Sequence, residues 1–194
     1  MEHVPEGPAL QQLLDKLEIH EVLMRYCRAI DRCDEELLRS VYHPDATDNH
    51  GSFNGTAADF VPWVMDLLRR RFRSTTHAIC NELIDLGPAV GVGSAGPLPV
   101  GSPYDANSDK LLAGEVAHVE AYFFAFHRYD RDGGEYDWTV AGRYIDRFER
   151  RSGLWKIAHR LAVTDWDRVD PVSGQRPLPA VVGVRSRQDP VYRR

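Results

Sequence analysis

The stretch Ser74–Leu86, "STTHAICNELIDL", decides the fold, because the periodicity of the chain changes there. Its apolar and β-branched residues alternate with polar ones at a period of two, the pattern of a strand with one covered face. Three similar stretches follow: "EVAHVEAYFFAFHRYD" from Glu115, "YDWTVAGRYIDRFERR" from Tyr136 and "LWKIAHRLAVTDW" from Leu154. The last two are joined through "RRSGLW", a tight-turn sequence. Between the first strand and the second lies "GPAVGVGSAGPLPVGSPYDANSDK", rich in Gly, Pro and Ser and without periodicity, which reads as a loop inserted in a hairpin connection.

Upstream of Ser74 the spacing is helical. Leu10, Leu13, Leu14, Leu17, Val22, Leu23, Tyr26 and Ile30 recur at steps of three and four, the pattern of an amphipathic helix with one buried stripe. Asp34 followed by "EELLRSVY" predicts a capped second helix with acidic residues in its first turn. "HPDATDNHGSFNG" breaks it into a loop or a short strand and turn, and Thr56–Arg71 restores helical spacing. Helices first and long strands afterwards predict an α+β domain whose helices pack on one face of an antiparallel sheet, leaving a concave pocket between the layers.

Composition bounds the function. With 194 residues, 43% hydrophobic and 27% charged, the chain suits one well-buried core, so a single domain is expected. A net charge of −5 argues against sequence-independent nucleic-acid binding, and "LLRRRFR" reads as the solvated end of a helix. Apolar runs such as "AYFFAF" are too short to span a membrane, and "MEHVPEGPALQQ" lacks the features of a secretory leader, so the expected location is the cytoplasm. Three cysteines with no CxxC spacing suit a reducing compartment. "GVGSAG" has neither a following helix nor the lysine of a phosphate loop, and there is no zinc-like Cys and His spacing. His43 and His50 flank "PDATDN" without a second coordinating motif, so no metal and no cofactor is expected.

The candidate site residues are polar groups on apolar elements. His77 shares a strand face with Ile79 and Leu83; His118 shares one with Glu120, Tyr122, Phe124 and Phe126; Tyr144 shares one with Trp138, Val140 and Phe148. Each also fits a plain core, where a ring needs only one polar partner. Asp31 stands out. A carboxylate at the C-terminal end of a helix opposes the helix dipole unless a donor compensates it. A histidine would, and an aspartate on one ring nitrogen makes the other a general base. The competing reading makes Asp31 a cap for the helix that begins near Asp34.

The segments "YCRAIDRCDEELLRSVYHPDA", "ADFVPWV", "TTHAICN" and "GRYIDRFERRSGLWKIAHRLAVTDW" resemble the SnoaL-like, or polyketide-cyclase-like, family of the NTF2-like superfamily. The resemblance runs from about Leu14 to Trp166. It implies a cone-shaped, curved antiparallel sheet wrapped around N-terminal helices, with a domain spanning residues 1–170, an insertion at 87–110 and an irregular tail at 171–194. It also implies assembly as a homodimer or homotrimer through the sheet. In the family's lyases an aspartate ending the first helix pairs with a histidine on the strand after the third; Asp31 and His77 occupy those places. By the same resemblance Tyr26 is a pocket donor, His50 replaces a tyrosine that helps position water, and His118 lies on a strand that contributes a pocket histidine. Thr164 stands where one family dehydratase uses an arginine, and Ile30 where another has a tyrosine. The expectation is a cofactor-independent lyase or isomerase acting on a small apolar, aromatic or polycyclic substrate. Asp31, His77 and Tyr26 are its catalytic residues, and His50, His118, Tyr122, Phe126, Trp138 and Tyr144 line its pocket. The alternatives are a non-catalytic binding or assembly protein of the same fold, or the small subunit of a ring-hydroxylating dioxygenase.

Overall fold

A computed structural model describes residues 7–87, 115–174 and 181–193. Helix α1 (Pro8–Arg32) is followed by the short α2 (Glu35–Ser40), strands β1 (Tyr42–Asn49) and β2 (Asn54–Thr56), and α3 (Ala57–Arg71). Four long strands complete the order: β3 (Ser74–Leu86), β4 (Val116–Arg131), β5 (Gly134–Arg151) and β6 (Leu154–Pro171). The six strands form one curved sheet in the order β2-β1-β6-β5-β4-β3. The sheet is antiparallel except between β1 and β6, which run parallel. The expected insertion lies almost wholly outside the described residues.

Local chemistry explains the boundaries. The Asp34 carboxylate accepts the Leu37 N–H at 3.1 Å and caps α2, so Asp31 is not needed for that purpose. Thr56 caps α3 in the same way through the Asp59 N–H. The helical reading of "EELLRSVY" stops early: Tyr42 already begins β1. Pro44 is tolerated inside that strand because the register with β6 shifts between Tyr42 and Thr47, where no ladder donor is required.

The core lies between the concave face of the sheet and one side of α1 and α3, with Ile19, Leu23, Phe60, Met65, Phe148 and Ile157 among its fully buried residues. The predicted stripe of α1 is buried only from Val22 onward, whereas Leu10, Leu13, Leu14 and Leu17 are exposed. The parity of β3 also changes. A register shift between Ile79 and Glu82 turns Leu83 to solvent and Ile84 inward, since one extra residue in a strand reverses every later side chain. Gly142 on β5 is needed because a Cβ there would lie 2.1 Å from the Val163 carbonyl oxygen.

Candidate active site

Between the sheet, α1 and α3 lies a cavity of about 270 Å³. Trp63 and Leu67 of α3, Phe123 of β4 and Trp138 and Val140 of β5 supply apolar wall. Arg71, in the last turn of α3, lines it too, with its guanidinium over the Phe72 and Trp138 rings at 5.5 and 5.6 Å.

At the end of α1 the Asp31 side chain is buried and receives three donors from β3. The Thr75 hydroxyl donates to Oδ1 at 2.9 Å, the His77 backbone N–H to Oδ2 at 2.9 Å, and His77 Nδ1–H to Oδ1 at 2.8 Å. These bonds compensate a carboxylate placed against the negative end of the helix dipole. They also fix the histidine tautomer, leaving Nε2 with its lone pair on a ring that lines the cavity.

A second Asp–His pair reaches the same cavity from the far edge of the sheet. Asp48, fully buried on β1, accepts the Tyr42 hydroxyl at 2.6 Å and the Nδ1–H of His50. His50 Nε2 lies 3.3 Å from the Tyr26 hydroxyl, and its ring stacks on Phe60 at 4.8 Å. Burial holds the Tyr26 phenol far above its ordinary range, with the Arg160 guanidinium opposing the shift, so this hydroxyl stays protonated and serves as a donor. Arg160 sits between the Tyr26 and Tyr144 rings, 4.1 and 4.0 Å from their centres, and makes a fully buried two-pronged pair with Asp146 at 2.8 and 2.6 Å.

Tyr26, His50, His77, Trp138 and Tyr144 therefore line one cavity, with Asp31 behind His77. His118, Tyr122 and Phe126 do not. They lie on the other face of β4, where Tyr122 and Phe126 are 43% and 45% exposed, because Ala117, Val119, Ala121, Phe123 and Ala125 take the inward positions. The period of that strand is as expected, and its face is the opposite one: both faces carry aromatics, and the alanines that let the helices approach mark the inner one. The same parity brings His127 into the cavity, 5.4 Å edge-to-face from His77. Its Nδ1–H donates to the Trp138 carbonyl at 3.3 Å, and burial, aided by His77, pushes it down to about 4. His127, Asp48 and the Arg160–Asp146 pair were not among the expected site residues; only the alternation with Phe123 and Ala125 marks His127.

The SnoaL-like domain model matches residues 11–96 and 109–161. No curated protein matches the sequence. Among solved structures, a candidate scytalone dehydratase from Novosphingobium aromaticivorans is 20% identical with a TM-score of 0.63, over 88% of this chain and 97% of that one. A type 2 hexachlorocyclohexane dehydrochlorinase is 14% identical with a TM-score of 0.62, over 90% of this chain and 99% of that one. The type 3 enzyme from Novosphingobium barchaimii is 15% identical with a TM-score of 0.62, over 88% and 99%. At these identities the likeness shows a shared fold.

Proposed function

The chain belongs to the SnoaL-like domain family, and on that premise we propose that it is a lyase or isomerase of the dehydratase type, with His77 as the general base. The observation that carries this is the Asp31–His77 pair: a histidine held by a buried carboxylate through Nδ1, its other nitrogen unoccupied by that bond, on the wall of an apolar cavity. Nε2 removes a proton from a carbon next to a carbonyl, and Asp31 stabilises the imidazolium that forms. Tyr26 donates a hydrogen bond to the substrate oxygen where charge develops. A positioned base contributes about 10² to 10⁴ in rate, which suits a C–H bond already acidified by a carbonyl.

The aromatic walls favour a small apolar substrate, aromatic or polycyclic. Deuterium exchange at the α-carbon of aryl ketones tests the base. The native protein should accelerate exchange, and His77→Ala should lose about 10² to 10⁴ of that acceleration. Equal exchange by both proteins would remove His77 from the role. Ligand binding without exchange would favour a binding protein of the same fold.

A further inference from the structure

Elimination needs more than a base when the departing group is poor: hydroxide leaves readily only if it takes a proton as the bond breaks. Two groups of charges bear on this cavity from opposite edges of the sheet, Asp31–His77 through β3 and Asp48–His50 from the end of β1. The second is built around a chain of contacts running from Tyr42 through Asp48 and His50 to Tyr26. We propose that Asp48, His50 and Tyr26 form a proton relay to a leaving oxygen, and hence that the substrate class is a β-hydroxy carbonyl compound; this rests on the His77 base proposed above.

Tyr26 alone is a poor acid. Its phenol is held far above the ordinary range by burial, so losing a proton would leave a costly buried phenolate. His50 resolves this. With Asp48 on Nδ1, a proton carried on Nε2 points at the Tyr26 oxygen, so the phenol can give up one proton as it receives another. His50 sits among polar and charged groups from several elements. From β1 it faces Asp48 and the Tyr42 hydroxyl, from α1 Tyr26, from β5 Tyr144 and Asp146, and from β6 Arg160. Of these, Asp48 and Asp146 are acidic and Arg160 is basic, and Arg160 is paired with Asp146. Phe60, stacked on the imidazole, adds no charge.

His77 Nε2 takes the α-proton, and the C–H electrons form the new C=C bond. The β C–O bond breaks with its electrons on oxygen, which takes the Tyr26 proton and departs as water. Tyr26 oxygen takes the proton from His50 Nε2. His77 ends protonated and His50 neutral, and return of one proton from the first to the second through solvent restores the site. In this scheme Tyr26 touches substrate, whereas His50 and Asp48 act through it as positioning and proton-supplying groups.

The test is a pair of probes that give one product, 4-hydroxy-4-phenylbutan-2-one and its acetate ester. Both eliminate to the same conjugated enone, followed by its absorbance, but acetate leaves as a stable anion and needs no acid. In His50→Gln and Tyr26→Phe the ratio of acetate to hydroxide elimination should rise by about 10² to 10⁴ over the native protein, the usual span of general acid catalysis. His77→Gln should lower both reactions and leave the ratio unchanged. A ratio unchanged in both relay variants overturns the relay while leaving the base in place. If the native protein eliminates neither group, or His77→Gln eliminates both as well as the native protein does, the base fails first and the relay with it. Should His50→Gln not fold, Tyr26→Phe, which keeps ring and volume, reads the same ratio. A hydroxide reaction whose rate against pH keeps its basic-side fall in that variant also counts against the relay.

Discussion

A proton on His127 would have to enter a site that is 8% exposed and already faces the His77 ring, and burial with this neighbour pushes His127 down to about 4. Asp31 favours the charged form, and Arg185 opposes it. The unfolded chain takes up the proton near 6.5, so between 6.5 and 4 it binds more protons than the folded one, and stability rises with pH across that window. The contribution is complete above about 6.5 and is lost on acidification toward 4, reaching about 3 kcal/mol for a difference of this size. His43 and His118, lowered by burial, act with the same sign. Urea midpoints at pH 7 and pH 4.5 check this: His127→Phe, which keeps a ring against Phe72 and Trp138, should lose less stability on acidification than the native protein. An equal loss would place the acid sensitivity elsewhere. Asp31 was legible in the sequence as a carboxylate in an unfavourable position. Its neighbour Asp34 resolves the competing role by capping α2, and β3 brings three donors to Asp31.

Between elements, one guanidinium joins two helix ends. Arg185, in the chain that returns over the helices after β6, donates through Nη1 to the Leu68 carbonyl at 3.0 Å and to the Phe72 carbonyl, and through Nη2 to Cys33 Sγ at 3.2 Å. Leu68 and Phe72 close α3, and Cys33 closes α1, so the cation sits where orphan carbonyls and the helix dipole both favour it. Arg187 adds bonds to Asp34 and Glu36 at 3.1 and 2.8 Å. Arg185→Ala would take this donor from the Phe72 carbonyl, while Leu68 keeps the Phe72 N–H, at about 1 to 3 kcal/mol, measurable as a lower urea midpoint with an unchanged slope. The same midpoint as the native protein would mean that water replaces the guanidinium. None of this is legible locally, because "VRSRQDP" has no periodicity and its partners lie more than 100 residues earlier. The strands show the opposite balance. Their period of two is plain in the sequence, but the face is not, since the β3 register shift and the alanines of β4 decide which parity meets the helices.

At the scale of the molecule the sheet has two unlike faces. The concave one carries the cavity, and the convex one exposes Tyr122, Phe124, Phe126 and Trp166, with Phe124 close to both Phe126 and Trp166 at 6.3 and 6.0 Å. We propose that this face joins copies of the chain, as the resemblance implies. Sedimentation should then give two or three times the 22.0 kDa chain mass, and Phe126→Glu should shift it toward one; a native protein sedimenting at 22.0 kDa would count against this assembly. No described helix is long and apolar enough to cross a membrane. What the sequence determined by itself was local in origin: helices before strands, the cap at Asp34, the change of period at Ser74, and an aspartate in need of a donor. Neighbouring residues carry those signals, through hydrogen bonds and side-chain spacing within a few positions. Only the tertiary structure decided which strand face is concave, that Asp48 and His50 oppose Asp31 and His77 across the sheet, and that Arg160 lies between two tyrosines. Those depend on register and closure between residues far apart in the chain, and on the cost of burying charge, which only the assembled core imposes.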